Sequence, residues 1–316
     1  MLPVWPELAP AETSSSDHVL GVVGFGVSAG ASFTIPVRQL GGSALAEVWR
    51  SSLPVTASRC GDISFASNGA VLLGSLAAAG GDLATLTARL YEQIVNTVRS
   101  AGYPHLLRVW NHVGAINEDE RDLERYKCFS KGRHEALARL GYAREQFPAA
   151  SAVGMKCEGV TAYFIASRTP GVQVENPRQV AAYDYPASHG PRSPSFSRAT
   201  VAHWNGSAMI FVSGTASIVG HETRHHGDVD AQLDETLRNI DSIVGEAAGR
   251  VGRRASLDDL SVAKAYIRRA CDYERIAPRL SAALPRTQIL FVESDICRRD
   301  LLLEIEGVVT VSPRPS

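Results

Sequence analysis

The chain has 316 residues, of which 45% are hydrophobic and 21% are charged, and its formal net charge is −1. This composition is typical of a globular protein with room for two domains of about 150 residues each, and it gives no electrostatic reason to expect a nucleic-acid partner. The apolar runs fall short of the roughly 20 residues needed to span a bilayer, so we expect no membrane partner.

The first half of the sequence predicts an N-terminal arm followed by strands and two helices. Residues 1–18 predict a loose arm. Apolar density predicts strands in VLGVVGFG (19–26), SNGAVLLGSL (67–76) and LLRVWNHV (106–113). A helix is predicted from Asp82, with Gly102 as its C-cap, because apolar residues recur at helical spacing. The charged segment 118–141 predicts a second helix.

The second half predicts a regular alternation of strands and helices. The segment 151–168 predicts two strands around a turn. Residues 176–201 are rich in Pro, Gly, Ser and Tyr, and long loops of this kind often form functional sites. From Ala208 onward, the predicted order is strand, helix, strand, helix, strand, strand.

This order predicts an α/β fold built from layers of sheet and helix. The first half shows a weaker copy of the same pattern. We therefore predict two related domains, an N-terminal one over residues 1–148 and a C-terminal one over residues 149–316. No residue-level internal repeat accompanies the pattern.

The predicted last strand, LLLEIEGVVT, carries two carboxylates inside an apolar run. Successive side chains of a strand point to opposite faces, so Glu304 and Glu306 share one face while Leu303 and Ile305 share the other. One interpretation is a strand with one solvated face. The other is an acid in a water-poor site, where the neutral form is favoured and a proton can be donated near neutral pH.

Several stretches resemble known families. The C-terminal half resembles the RidA (YjgF) fold in GDVDAQLDETLRNI, in residues 257–285 and in LLLEIEG. Over most of the chain, five stretches in the same order resemble the chorismatase family, in which a RidA-like core forms a monomeric, cofactor-free enzyme. These stretches are RVWNHVGAIN, LERYKCFSKGRHEAL, AYDYPASHGPRSPSFSRA, FVSGTASIVGHET and ESDICRRDLLLEIEG.

The resemblance implies that the substrate is chorismate, whose enolpyruvyl side chain leaves as pyruvate. One branch of the family hydrolyses the enol ether to a cyclohexadiene-diol carboxylate. The other branch aromatises the ring to 3-hydroxybenzoate, and some members also form 4-hydroxybenzoate. No redox cofactor is needed, because chorismate has the same atoms as hydroxybenzoate plus pyruvate.

The resemblance places the family's catalytic acid at Glu304. Glu306 is then a neighbouring or structural group, and the two roles exchange if the strand register differs. In the family, a Cys seven residues before this acid accompanies the 3-hydroxybenzoate branch, and Cys297 has that spacing. Its alternative is a small buried hydrophobic residue. A compact residue in FVSGTAS also accompanies that branch, and Gly214 fits, with Thr215 beside it as a substrate contact.

Chorismate carries two carboxylates and a ring hydroxyl, so its site needs about two guanidinium groups and several neutral donors. The matching stretches offer Arg133, Arg192 and Arg198 for the carboxylates. Tyr183 and Tyr185 offer hydroxyl groups together with ring contacts. For each arginine, the alternative is a solvated side chain or a surface ion pair.

Two further motifs point to other chemistry. HETRHH has the spacing of the zinc-protease motif HExxH, but glycines bracket it and the next helix is predicted to begin after Asp228. We therefore expect a loop that places His221 and Glu222 beside the site, and no metal. The Gly-rich stretch Val22–Gly30 lacks the full dinucleotide fingerprint.

The five cysteines are scattered, odd in number and free of any Cys-x-x-Cys pair, which argues against a disulfide framework or a zinc knot. The N-terminus lacks the features of a signal peptide, so we expect a cytoplasmic protein. We expect a monomer, because two domains in one chain can bury the faces that RidA proteins bury between subunits. The alternative from another class is a non-catalytic RidA-like protein that binds a small molecule.

Overall fold

The structure is a computed structural model that describes residues 2–11, 17–26, 30–42, 44–204 and 206–311. Its elements up to residue 167 are β1 (Val4–Ala9), β2 (Val19–Phe25), β3 (Phe33–Ile35), β4 (Arg38–Leu40), β5 (Ala46–Ser51), β6 (Thr56–Cys60), β7 (Ile63–Ser67), β8 (Val71–Ala78), α1 (Leu83–Ser100), β9 (His105–Gly114), β10 (Asp119–Glu120), β11 (Leu123–Glu124), α2 (Arg125–Arg139), β12 (Ala149–Met155) and β13 (Val160–Ser167).

The remaining elements follow after residue 171. They are β14 (Val172–Val174), β15 (Ala199–Trp204), β16 (Ser207–Thr215), β17 (Ile218–Val219), β18 (Glu222–Thr223), α3 (Val229–Gly249), β19 (Leu260–Ile267), α4 (Tyr273–Ala283), β20 (Gln288–Glu293) and β21 (Leu303–Val311). Short 3-10 turns occur in the long segment between β14 and β15.

The described strands form two large sheets, a four-stranded sheet and the two-stranded pairs β10-β11 and β17-β18. The large sheets have the orders β12-β9-β13-β8-β7-β6 and β14-β15-β16-β21-β19-β20-β4, and the four-stranded sheet has the order β1-β5-β2-β3. The order β15-β16-β21-β19-β20 repeats the order β7-β8-β13-β9-β12, and helices occupy equivalent places in the chain. The α/β class is therefore confirmed, and the two large sheets are topological copies.

The helices form where apolar residues share one face. In α1, the buried side chains include Leu83, Leu90, Ile94 and Val98, and the Asp82 carboxylate accepts a hydrogen bond from the Thr85 amide as N-cap. Gly102 follows the helix with φ at +81°, a conformation that glycine adopts without strain. α1 and α2 cover one face of the six-stranded sheet, while α3 and α4 cover one face of the seven-stranded sheet.

The predicted boundary at residues 148/149 does not coincide with the division between the large sheets. β12 and β13 lie after that boundary, yet β12 pairs in parallel with β9 and β13 inserts between β9 and β8. The two strands of segment 151–168 are therefore separated by β9. Apart from β4, which joins the edge of the seven-stranded sheet through β20, the two large sheets divide between Ser167 and Val172.

Two local predictions are corrected. Part of the predicted N-terminal arm is strand β1, in which Val4, Pro6 and Leu8 are buried while it pairs with β5. The first residues of the charged segment 118–141 form the hairpin β10–β11, and α2 begins only at Arg125. Residues 1, 12–16 and 27–29, which include part of the arm and part of the Gly-rich stretch, lie outside the described residues.

The inner faces of the two large sheets meet in the middle of the protein. Met209 and Phe211 of β16 pack there in one apolar cluster with Ala149 and Val153 of β12. On β21, Leu303 and Ile305 point away from this interface into the core beneath α3 and α4. Glu304 and Glu306 occupy the opposite face of the strand, as its alternation predicts, and this face is buried.

Candidate active site

The inner faces and the long segment between β14 and β15 enclose a cavity of about 840 Å³. Glu304 of β21, Ser151 of β12 and Arg133 of α2 line it, together with Arg198 at the start of β15. The wall therefore combines groups from both halves of the chain. A cavity of this size holds a small molecule together with water.

Glu304 lies on the floor of the cavity with only 4% of its surface exposed. Its Oε1 atom has no hydrogen-bond partner within the described residues. Burial raises the pKa of Glu304 to about 8; the negative charge of Glu306 adds to the rise, while Arg108 and Arg198 oppose it. The carboxyl group therefore holds a proton at neutral pH.

Glu306 has the opposite environment, although it lies two residues further along the same strand face. Its carboxylate forms ion pairs with Arg108 at 2.5 Å and with Lys264 at 2.9 Å. It also accepts hydrogen bonds from Trp110 and Ser151. Burial alone would raise the pKa of Glu306, but Lys264 and Arg108 hold it at about 2. Glu306 is ionised and fully paired.

Gly214 provides the space that the Glu304 side chain occupies. The pairing register of β16 with β21 shifts between Val212 and Thr215, which marks a bulge beside Glu304. A Cβ atom added to Gly214 would lie 2.0 Å from Glu304 Oε1 and 3.0 Å from Ser151 Oγ. Any larger residue here would displace the acid.

Arg133 and Arg198 bring two guanidinium groups to the cavity. Arg133 is 1% exposed, lies between the rings of Phe129 and Phe196, and has no partner for Nε or Nη2 within the described part of the chain. Arg198 also packs against Phe196, and its Nη2 atom donates to the Tyr185 hydroxyl at 2.7 Å. Desolvated cations with free donors suit an anionic ligand with two carboxylates.

Known proteins share this architecture. A crystal structure of a chorismatase superposes with a TM-score of 0.87 at 34% sequence identity, covering 97% of this chain and 98% of that one. A chorismatase of Streptomyces rapamycinicus is 40% identical over 84% of this chain and 82% of its own length. The chain belongs to the chorismatase family. The family model "Chorismatase FkbO/Hyg5-like, N-terminal" matches residues 47–166, and a 3-hydroxybenzoate synthase of Streptomyces hygroscopicus is 39% identical over 71% of this chain and 68% of its own length.

In this chorismatase-family chain, Cys297 lies in the segment between β20 and β21 and lines the cavity. Burial, and then the nearby Glu304, raise the pKa of the Cys297 thiol to about 12, so the sulfur carries its proton. Of the two tyrosines predicted for the site, Tyr185 lines the cavity. Its ring contacts the guanidinium groups of both Arg198 and Arg298.

The structure places four other predicted residues at the margin or elsewhere. Glu222 lies at the mouth, largely exposed, in an ion pair with Arg224. Thr215 is buried in β16, where its hydroxyl donates to the Ser213 carbonyl at 2.8 Å. Tyr183 packs against Phe147 and lies outside the described cavity lining.

Arg192 is exposed and faces a separate surface groove beside α1 and α2. Although prolines flank Arg192 in its loop, the Arg192 side chain does not reach the cavity. The chain instead turns inward after Ser193, so that Phe196 and Arg198 reach the wall.

The HETRHH sequence does not form a zinc-protease motif. His221 lies in the turn between β17 and β18 and contacts His189, with 3.0 Å between Nδ1 and Nε2. His225 has φ of +57° and pairs with Glu235, and α3 begins only at Val229. Among the residues that the structure describes, no group of three or more His, Cys, Asp or Glu side chains is arranged to hold a metal ion.

Sequence reasoning missed several wall residues. Tyr126 projects into the cavity from the first turn of α2, and Phe196 packs against both site arginines. Arg298 donates to the His221 carbonyl at 2.9 Å and ties the segment after Cys297 to the β17–β18 turn. Tyr126 and Arg298 lie within the matching stretches, yet only the fold shows that they face the cavity.

Of the helices formed by the described residues, none combines the length and apolar character needed to cross a bilayer.

Proposed function

We propose that this protein converts chorismate to 3-hydroxybenzoate and pyruvate. The observation that carries the proposal is a buried acid without a hydrogen-bond partner for Oε1 in the described structure, Glu304, on the floor of a cavity whose wall holds two buried guanidinium groups. The names of the relatives, chorismatase and 3-hydroxybenzoate synthase, support chorismate as the substrate.

The two arginines bind the two carboxylates of the substrate. Arg133 offers Nε and Nη2, and Arg198 offers Nε, as donors that lack partners in the described structure. A planar guanidinium group binds both oxygens of a carboxylate at once. Because the packing of Arg133 between two rings and of Arg198 against two rings fixes both groups before the ligand arrives, little ordering remains to oppose binding.

Glu304 starts the reaction by donating its proton to the methylene carbon of the enolpyruvyl group. The ether carbon becomes an oxocarbenium ion, and the carboxylate left on Glu304 stabilises this positive charge in a site with little water. An acid with a pKa of about 8 holds the proton at neutral pH and still releases it to a reactive enol ether.

The product depends on what captures the cation. When water is kept away, the ring 4-hydroxyl oxygen attacks C3, the bond between C3 and the ether oxygen breaks, and pyruvate leaves. The hydroxyl proton returns to Glu304, so one proton enters and one leaves. The epoxide-like intermediate isomerises to 3-hydroxybenzoate. Cys297 supports this branch as a weak donor in the wall beside Glu304, and Gly214 supports it by leaving room for the acid.

A hydrolytic chorismatase is the second candidate, because the cavity of about 840 Å³ has space for water next to the substrate. In that reaction, water adds to the oxocarbenium ion and a cyclohexadiene-diol carboxylate leaves with pyruvate. The two candidates share the roles of Glu304 and of the two arginines, and they differ in what Cys297 and Gly214 contribute.

The test measures pyruvate release from chorismate with a lactate dehydrogenase assay, and identifies the ring product by mass spectrometry. We expect 3-hydroxybenzoate from the wild type and a rising share of diol from Cys297→Ala. Cys128→Ala is the matched control, since Cys128 is buried in α2 and does not line the cavity as described. Absence of pyruvate refutes chorismate conversion, and diol from the wild type refutes only the product.

A further inference from the structure

A cluster of four buried charges lies beneath the cavity, between the two large sheets. Glu306 of β21 pairs with Arg108 of β9 and with Lys264 of β19. Lys264 also contacts Glu47 of β5, with 2.5 Å between Nζ and Oε2. Each of these side chains is at most 4% exposed. Two negative and two positive charges therefore balance in a region that excludes water.

Glu304 adjoins this cluster without belonging to it. Alternate residues of a strand are separated by about 7 Å, so its carboxyl group lies beside that of Glu306 on the same face. Ser151 links the two sites: its hydroxyl donates to Glu306, and it lies under the same glycine gap as Glu304 Oε1. Since the cluster is already neutral, an ionised Glu304 would add an unpaired negative charge to a buried region.

The groups that face Glu304 come from every neighbouring element. Arg108 of β9 and Arg198, the residue before β15, favour its ionised form, whereas Glu306 of its own strand disfavours it. Tyr266 of β19 and Cys297 are neutral neighbours, because burial raises the pKa of each. His112 of β9, which faces Glu306, is also neutral, since burial lowers its pKa to about 3.

We propose that Glu306 is a positioning residue for the reaction: its fixed negative charge, held by Arg108 and Lys264, keeps the neighbouring Glu304 carboxyl protonated. This inference rests on the proposed function of Glu304 as the acid. Glu306 touches no substrate. It acts through the charge balance of the interface between the sheets. By pairing with Arg108 and Lys264, Glu306 neutralises cations that would otherwise favour the ionised form of Glu304.

The test compares the pH dependence of kcat/KM in two variants whose charges change in opposite directions. Glu306→Gln leaves an excess positive charge, so the basic limb should move to lower pH by about one pH unit or more. Lys264→Met leaves an excess negative charge, so the limb should move to higher pH. The basic limb of kcat/KM reports the acid of the free enzyme. Glu235→Gln is the control, since Glu235 is a buried, paired glutamate of α3 outside the cluster, and its limb should not move.

A purely structural role for Glu306 predicts lower turnover or poorer folding without opposite movements of the limb, and that result overturns the inference. Either variant alone can test the inference, because the direction in which its basic limb should move is predicted. If neither variant folds, wild-type protein with ¹³C-labelled glutamate carboxyl groups decides. The Glu304 signal, assigned by its loss in Glu304→Gln, should titrate above pH 6 while Glu306 stays ionised, and titration of both near their ordinary pKa overturns the inference.

The NMR titration also separates this inference from the proposed function. A wild-type protein that releases no pyruvate from chorismate refutes the proposed function. The Glu304 signal then still decides the inference, because its ionisation does not depend on turnover. A protein that does convert chorismate, with a limb that stays in place in both variants, refutes the inference alone.

Discussion

Replacing Glu304 by Gln is expected to abolish pyruvate release and, at the same time, to stabilise the fold at neutral pH. Gln has nearly the same shape as a protonated Glu, so it fits the space left by Gly214. It has no proton to donate to a methylene carbon. It also has no ionised form, and this second property makes the stability of the variant depend on pH differently from that of the wild type.

The magnitude follows from the pKa of Glu304, which is 4.5 for an ordinary Glu side chain and about 8 in the folded protein. Between these values the unfolded chain loses its proton and the folded protein keeps it, so wild-type stability falls as the pH rises and the fall is complete above the folded pKa. Each pH unit is worth about 1.4 kcal/mol, so the loss reaches about 3 kcal/mol at pH 7. Glu304→Gln avoids this loss.

The assay is urea unfolding followed by tryptophan fluorescence, since Trp49 and Trp110 are buried in the core. The free energy of unfolding of Glu304→Gln should exceed that of the wild type by about 3 kcal/mol at pH 7 and by less than about 1 kcal/mol at pH 5. Glu306→Gln is the control with the opposite sign, because it removes a paired charge and should destabilise the fold at pH 7. An advantage for Glu304→Gln that does not change with pH, or a loss of stability, would refute the reasoning.

Two further substitutions test the geometry. Gly214→Ala should lower kcat/KM by about 100-fold or more and destabilise the fold by about 1–3 kcal/mol, because the new methyl group would lie only 2.0 Å from Glu304 Oε1. The control is Gly245→Ala in α3, where the new methyl group would lie 3.9 Å from the Ala255 carbonyl oxygen, so activity should persist and stability should rise. Equal behaviour of the two variants in urea unfolding would contradict this reasoning. Arg133→Lys should raise KM for chorismate by about tenfold or more, because an ammonium group lacks the planar fork of a guanidinium group. The control is Arg139→Lys, in an exposed ion pair on the same helix, which should leave KM unchanged. Steady-state kinetics in which both variants match the wild type would disprove the role of Arg133.

The sequence was sufficient to predict the faces of β21 but not the state of its carboxylates. Alternation places Glu304 and Glu306 on one face and Leu303 and Ile305 on the other, and the structure has this arrangement. Which glutamate stays unpaired depends on Arg108, almost 200 residues away in the chain, and on the neighbouring strand that carries Lys264. Pattern analysis identifies strands, but it does not identify which side chains meet across two sheets.

The same limit applies to the division between the two large sheets. The segment 151–168 has the apolar density of strands, and both strands are present. Their partners, however, are β9 and β8, which precede the predicted boundary. A parallel pair joined by a helix is set by long-range packing, so local periodicity cannot place it. Likewise, composition marks residues 176–201 as a site-forming loop, but only the path of the chain separates the buried Arg198 from the exposed Arg192.

The matching strand orders of the two large sheets allow the side chains at equivalent positions of the two halves to be compared. Glu304 pairs with Tyr266 on β19, and the equivalent position of the first half is Thr161, which pairs with His112 on β9. The first half therefore has the neutral hydroxyl of Thr161 where the second half has an acid, and it contributes Arg133 and Ser151 to the wall. Two sheets with the same strand order thus supply different kinds of group to one cavity, the acid from one and the guanidinium of Arg133 from the helix layer of the other.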